Sequence, residues 1–224
     1  VAATAPGANG RIAFQNYADS RMQIYTMAAD GTDVRNISSN AYRDYGPRWS
    51  PNGRQIAFLS DRDGGVLKIF LMDADGANVH LLPTGGGATG DLAWSPDGRS
   101  IAFESFRDGN WELYLIGVDG TGETRLTTSA GDDIGPDFSP DGQWIAFASA
   151  RSGVLQVYLM ATSPDHTVTA LAPSAAQQLE PTWSPDGTKV AFTSGEPSGQ
   201  GGLSTMGIYV VPSTGGTPLL LTDT

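Results

Sequence analysis

Short apolar words separated by turn residues run the whole length of the chain. "IAF" begins at Ile12, Ile56, Ile101 and Ile145 and returns as "VAF" at Val190. A second word follows each one: "QIYTM" at Gln23–Met27, "KIFLM" at Lys68–Met72, "ELYLI" at Glu112–Ile116, "QVYLM" at Gln156–Met160 and "GIYVV" at Gly207–Val211. A shorter third word closes each unit. The words are rich in β-branched and aromatic residues and are bounded by Gly, Pro, Asn and Asp, which is the pattern of β-strands. No window sustains a 3.6-residue period between capping signals, so no helix longer than a turn is expected.

A further phrase precedes "IAF" in four of the five units: "WSPNG" at Trp49, "WSPDG" at Trp94 and Trp183, and "FSPDG" at Phe138. Both word sets recur every 44 or 45 residues. Each unit therefore reads as four strands. Strand A ends on the aromatic, B carries "IAF", C the second word and D the closing word. Four antiparallel strands at this period predict an all-β fold, a β-propeller of five four-stranded blades. Residues 1–224 form a single propeller domain, with units of approximately 1–43, 44–88, 89–132, 133–177 and 178–224.

In Ser-Pro-Asp-Gly, proline presets φ for the second position of a type I turn, aspartate bonds nearby backbone, and glycine closes the turn. The phrase is expected to join strands A and B, with its aromatic packed between blades. "ADGT" (Ala29–Thr32), "ADGA" (Ala74–Ala77), "VDGT" (Val118–Thr121) and "STGG" (Ser213–Gly216) do the same between C and D. These Asp-Gly pairs are turn chemistry rather than calcium loops, because the alternating aspartates and distal glutamate of such loops are missing.

The pattern resembles the TolB-type propeller repeat of exported bacterial proteins. Trp94–Thr127, "WSPDGRSIAFESFRDGNWELYLIGVDGTGETRLT", follows it almost residue for residue. The resemblance covers nearly the whole chain and implies the fold much more specifically than any function, since one fold hosts many activities. Similar repeats also form the non-catalytic propeller of prolyl-oligopeptidase-like peptidases. TolB itself resembles six blades plus a small α/β domain, so an incomplete six-bladed TolB-like propeller is the alternative architecture. Blade 1 lacks the aromatic-Ser-Pro phrase; "TAPGANGRIAF" (Thr4–Phe14) stands in its place. If Val1–Gly7 supply its strand A, five blades close a ring. Otherwise the blade has an open edge that invites a strand from another chain.

Within the chain, the A–B and C–D turns are uniform, whereas the B–C and D–A loops differ from blade to blade. Loops on a rigid scaffold carry most binding residues. The variable face is therefore the candidate site, with Tyr42, Arg43, Asp44 and Tyr45 in one D–A loop and Asp132 and Asp133 in another as its candidate binding residues. Tyrosine and arginine are favoured at recognition surfaces. Asp61-Arg62-Asp63 and Phe106-Arg107-Asp108, at equivalent B–C turns, read as loops closed by a local ion pair. Trp111 aligns with apolar Met22, Leu67, Leu155 and Met206 and reads as core. The long, Gly/Ser-rich B–C loop of blade 5, Ser194–Thr205, reads as mobile.

Composition narrows the function. The net charge is −11, with 19 Asp, 5 Glu and only two lysines, Lys68 and Lys189. Nucleic acid is a poor partner for such a chain, because phosphate affinity rests on Lys and Arg. There are no cysteines, so disulfides and thiolate metal sites are excluded. No apolar run is long enough to cross a membrane as a helix. The small-residue start "VAATAPGANG" suits an exported product, periplasmic or extracellular. The two histidines, His80 and His166, read as solvated surface; no Gly-x-Ser-x-Gly elbow and no zinc-ligand spacing occurs. The expectation is a non-catalytic binding or scaffold propeller, with no catalytic residues, metal or cofactor, whose partner is a protein or peptide. The alternatives are a structural subunit that self-associates through the blade 1/blade 5 seam, and an accessory propeller of a peptidase or lyase.

Overall fold

Each Ser-Pro-Asp-Gly phrase closes a hairpin, and its four residues divide the work. The Gly53, Gly98, Gly142 and Gly187 amides donate to the carbonyls of Ser50, Ser95, Ser139 and Ser184 at 2.8–2.9 Å. These glycines sit at φ between +67° and +71°, where a Cβ would be strained. The serine Oγ accepts the first N–H of strand B, as from Ser100 at 3.0 Å and Trp144 at 2.9 Å. Asp97, Asp141 and Asp186 accept the serine hydroxyls and the amides two residues on. Those bonds hold the three carboxyls below their usual range, Asp186 down to about 2.

The structure, a computed structural model, describes residues 10–18, 20–195 and 206–223. Every regular element among them is a strand. Blade 2 comprises Asp44–Trp49, Gln55–Ser60, Lys68–Asp73 and His80–Leu81 as strands A to D. Blade 3 comprises Thr89–Trp94, Ser100–Ser105, Glu112–Gly117 and Thr124–Arg125. Blade 4 comprises Asp133–Phe138, Trp144–Ser149, Gln156–Ala161 and Val168–Ala170. Blade 5 comprises Gln177–Trp183, Lys189–Gly195, Gly207–Pro212 and Leu219–Asp223. Blade 1 contributes Ile12–Ala18, Arg21–Met27 and Arg35–Asn36 as B, C and D. All pairings are antiparallel, and the molecule is a five-bladed propeller. The strand A expected from Val1–Gly7 lies outside the described residues, as does most of the expected mobile loop Ser194–Thr205.

The core lies between the blades rather than within them. Ile69, Leu71 and Leu82 of blade 2 meet Trp94, Ile101 and Phe103 of blade 3. Leu113 of blade 3 meets Phe147, Tyr158 and Met160 of blade 4. Val157, Leu159 and Leu171 of blade 4 meet Trp183, Val190 and Phe192 of blade 5. Ile24 of blade 1 meets Ile56, Phe58 and Met72 of blade 2. Burying each large apolar side chain in this way contributes about 1.5–3 kcal/mol. The A–B turns add a second contact between blades. A Cβ built on Gly98, Gly142 or Gly187 would stand 3.6 Å from Pro51, Pro96 or Pro140 of the preceding blade.

Strands A pack on one another around the axis. Each is kinked by a bulge, where the register slips between Tyr45 and Arg48, Thr89 and Leu92, Ile134 and Asp137, and Leu179 and Thr182. A bulge leaves backbone groups unpaired in the ladder. That requirement shapes the chemistry of the axis.

Candidate functional site

The variable face starts from a repeated side-chain stack. In blades 2, 3 and 4, strand B ends Phe-x-Ser, and an arginine follows two residues later. Arg62, Arg107 and Arg151 fold back over their own blades. Their guanidinium carbons lie 5.3, 5.7 and 5.3 Å from the Phe58, Phe103 and Phe147 rings. They also lie 4.9, 4.1 and 4.8 Å from Phe70, Tyr114 and Tyr158 on strand C. Each Nε donates to the strand-end serine: Ser60 at 2.9 Å, Ser105 at 3.1 Å and Ser149 at 2.8 Å. Two of the three then meet a carboxylate at the start of strand A. Arg62 Nη2 reaches Asp44 at 3.0 Å, and Arg151 Nη2 reaches Asp133 at 3.2 Å. In blade 3 that position is Thr89, and Arg107 pairs with Glu123, just before strand D, instead. The ion pairs expected within the Arg-Asp-Gly runs are thus of longer range. Asp63 pairs with Lys68, and Arg62 turns inward to Asp44.

A polar residue at or near the start of strand C ties down the variable loop beside it. Gln23 donates through Nε2 to the Tyr42 carbonyl at 2.7 Å and accepts the Asn40 amide at 3.0 Å. Gln156 does the same for the Ala176 carbonyl and the Ser174 amide, both at 2.7 Å. In blade 3, Asn110 next to strand C donates to the Ser129 and Gly131 carbonyls at 3.2 and 3.1 Å. The ends of the B–C and D–A connections bond to each other in three blades: Asp61 N to Arg43 O, Phe106 N to Ala88 O, and Ala150 N to Asp132 O. The two loop sets therefore share one face and are held firmly.

The six candidate residues divide by environment. Tyr42 and Arg43 are exposed at the loop crest, and the Arg43 amide donates to Asp61 Oδ1 at 2.9 Å. Asp44 lies directly beneath, fully buried, and accepts Asn40 Nδ2 at 2.7 Å as well as Arg62. Arg62 also lies 5.9 Å from the Tyr42 ring, so Tyr42, Arg62 and Asp44 form one column. Tyr45 turns the other way and packs on the core between blades 2 and 3. Asp132 is half-buried and accepts the Trp111 amide at 3.0 Å; Asp133 is fully buried. Burial pushes the Asp133 carboxyl up, and bonding to Ser149 and the Arg151 charge oppose it.

Two further exposed aromatics join this face. Tyr17 is 68% exposed and Phe106 46%, matching Tyr42 at 46%. Phe106 meets half-buried Trp111 edge-on, with ring centres 5.4 Å apart. The sequence signal was present: Phe106 stands where the same loop of blade 2 has Asp61.

At the axis the bulges are bridged from blade to blade by different groups. Gln15 Oε1 accepts the Gly46 amide at 2.8 Å. Arg48 donates to both Asp91 oxygens at 2.8 and 3.0 Å, and its carbonyl accepts Trp94 Nε1 at 3.0 Å. Glu104 accepts the Asp91 amide at 2.6 Å within its blade and the Gly135 amide at 3.2 Å from the next. Asp137 accepts the Trp183 amide at 2.8 Å and the Thr182 hydroxyl at 3.1 Å. Burial pushes Glu104 up to about 7, and the charges of Asp91 and Asp132 add to the shift. Burial raises Asp137 as well. Among the described residues, no group of three or more His, Cys, Asp or Glu is placed to hold a metal ion, and no helix is long and apolar enough to cross a membrane.

Comparison with known proteins supplies relatives by structure. The chain is similar to a TolB-like protein from Agrobacterium tumefaciens, at 26% identity and a TM-score of 0.81, over 94% of this chain and 80% of that one. It is similar to TolB from Acinetobacter baumannii, at 27% identity and a TM-score of 0.84, over 98% of this chain and 55% of that one. The chain thus spans about half the length of the Acinetobacter protein. A puromycin hydrolase matches at 20% identity and a TM-score of 0.71, over 94% of this chain and 35% of that one, which shows a shared fold alone. No curated protein matches the sequence. The family described as the TolB beta propeller domain matches residues 83–206, more than half of the chain. The stacked arginines, the Ser-Pro-Asp-Gly turns and the bulged inner strands lie largely within that match, and the chain belongs to the TolB beta propeller domain family.

Proposed function

We propose that the protein is a non-catalytic binding propeller of the bacterial periplasm or cell exterior, and that it recognises a protein or peptide partner on the variable-loop face. One observation carries this reading: Tyr42 and Arg43 stand exposed on a loop whose every turn is pinned to the rigid frame beneath. Tyr17 and Phe106 extend the same face. Aromatic and arginine side chains are the usual anchors of interfaces, and a backbone already held in place lowers the cost of ordering the loop that carries them. The similarity to two TolB structures at 26% and 27% identity supports the reading.

The test places a photo-crosslinking phenylalanine at Tyr42 and, separately, at Thr188 on the opposite turn face. Under this reading, Tyr42 crosslinks one discrete polypeptide and Thr188 does not. Arg43→Ala combined with Phe106→Ala then lowers affinity for that polypeptide at least tenfold, with the melting temperature unchanged. Tyr45 is left intact because its side chain is core. Equal crosslinking from both faces, or affinity unchanged in the double variant, refutes the reading.

A second reading, a structural subunit that assembles through the blade 1/blade 5 seam, is favoured by Ile208. Its counterparts Ile69, Leu113 and Val157 are fully buried by the following blade, whereas Ile208 is 43% exposed. Leu219 and Leu221 beside it are also exposed. Uncovered apolar sheet of this kind marks contact surfaces. Under this reading, molar mass by light scattering rises across a hundredfold concentration range and Ile208→Lys returns it to the monomer value. A constant mass removes it.

A further inference from the structure

A groove of about 480 Å³ opens between blades 3 and 4 on the turn face, opposite the variable loops. Two departures from the repeat border it. The strand-A aromatic is tryptophan at the 1/2, 2/3 and 4/5 interfaces; Trp94 and Trp183 are almost completely buried, and Trp49 is half-buried. Trp94 also bonds across to the Arg48 carbonyl. At the 3/4 interface the residue is Phe138, smaller, without an N–H, and only half-buried. Phe138, Leu126 and Met160 consequently form the apolar floor of an open groove.

The second departure is at the rim. The residue closing the C–D turn is Gly31, Gly76, Gly120 or Gly215 in the other blades, each with positive φ and each donating to the first carbonyl of its turn. In blade 4 it is His166, at φ +43°, donating to Ser163. A histidine there carries strain that glycine avoids. The turn is also longer, closed by Ala161 N to Thr167 O where blade 3 uses Gly117 N to Thr121 O. The longer turn sets the imidazole against the groove, half-buried, with Nδ1 3.3 Å from the Ala161 carbonyl. The solvated surface position expected for this residue is thus half enclosed.

Charge defines what fits. Asp97 of blade 3 and Asp141 of blade 4 flank the groove. Each uses Oδ1 for its own turn, and neither forms a hydrogen bond through Oδ2 among the described residues. No lysine or arginine lines the groove. The turn bonds keep both carboxyls ionised across the ordinary pH range. The volume is that of a small-molecule site.

We propose that this groove binds a small amphipathic cation, an amine carried on an aromatic or branched apolar body. The body lies on Phe138, Leu126 and Met160, the ammonium sits between the Asp97 and Asp141 carboxylates, and His166 closes the open side. The site is separate from the variable face and does not depend on that face's partner.

The five methionines, at 22, 27, 72, 160 and 206, give the test a local reporter. With 13C-methyl methionine, titration with tryptamine is expected to move the Met160 methyl saturably and leave the Met22 and Met27 methyls in place. Indole-3-propionate, of similar shape and opposite charge, binds at least tenfold more weakly. Phe138→Trp abolishes the response by filling the groove. Asp97→Asn with Asp141→Asn weakens tryptamine at least tenfold while the propionate is unaffected or improved; this variant keeps the test decisive if Phe138→Trp does not fold. An unmoved Met160 methyl, equal affinity for amine and acid, or undiminished binding in the Asn pair overturns the proposal.

Discussion

Asp44→Ala is expected to lower the unfolding free energy by about 3–5 kcal/mol, the range found when one partner of a buried ion pair is removed. The Asp44 carboxylate is fully buried and the Arg62 side chain only 17% exposed. Without Asp44, the guanidinium stays pressed on Phe58 and Phe70 with the Ser60 hydroxyl as its remaining side-chain acceptor, and Asn40 Nδ2 loses a partner. Urea unfolding measures the loss. Arg62→Met keeps the apolar stack and leaves the carboxylate unpaired, so it is costly too. The double variant is expected to lose clearly less than the two single losses added together. A single-variant loss below about 1 kcal/mol would place the pair with ordinary surface ion pairs and refute the assignment. The consequence reaches the variable face, because Tyr42 rests on this arginine.

The second large effect is a pH dependence centred on Glu104. Its unfolded form titrates near the ordinary 4.5, and the folded protein retains the proton until about 7. Between those values the folded state binds more protons, so this contribution is complete below about pH 4.5 and is lost as pH rises through 7. The difference corresponds to an upper bound on the order of 3 kcal/mol. The buried Asp133 and Asp137 carboxyls shift in the same direction. The turn aspartates shift oppositely, and their contribution is lost only at lower pH. Calorimetric melting temperatures of the wild type should therefore fall from about pH 5 to pH 7.5. Glu104→Gln should flatten most of that fall. It should also lower stability at pH 5, because its Nε2 faces an N–H donor where a carboxyl oxygen accepted one. A wild-type profile that is flat over this interval, or a Gln profile as steep as the wild type, would remove Glu104 as the cause.

The repeat, the strand words and the turn chemistry were legible in the sequence because each rests on neighbours within a few residues. Ser95 and Asp97 close their turn by bonds spanning two to five positions, and alternation along "IAFES" sets which side chains face the next blade. The partners that matter at the candidate site are not local. Arg62 lies beside Asp61 and Asp63 in sequence yet pairs with Asp44, since burial against Phe58 and Phe70 directs the side chain inward. Glu104 stands where other blades have Leu59, Ala148 and Thr193, a departure that is visible in the repeat but does not name its partner. That partner is a backbone amide freed by the bulge of another blade. Tyr45 shows the same limit. It is next to exposed Arg43 and buried Asp44, but strand alternation and the bulge send it into the interface with blade 3.

The dissimilar bridges along the axis bear on how such a chain finds its blade order. Apolar faces built from five near-copies are almost interchangeable, and repeat proteins of this sort are prone to docking the wrong neighbours during folding. Gln15, Arg48, Glu104 and Asp137 are not interchangeable. A blade that met Glu104 without offering a free amide such as that of Gly135 would leave one oxygen of a buried carboxyl with nothing to receive, and one that met Arg48 without Asp91 would forfeit a two-pronged, partly exposed ion pair. Four small polar contacts thus act as an address written across the seams, and they discriminate between arrangements that hydrophobic burial alone would leave nearly equal in energy.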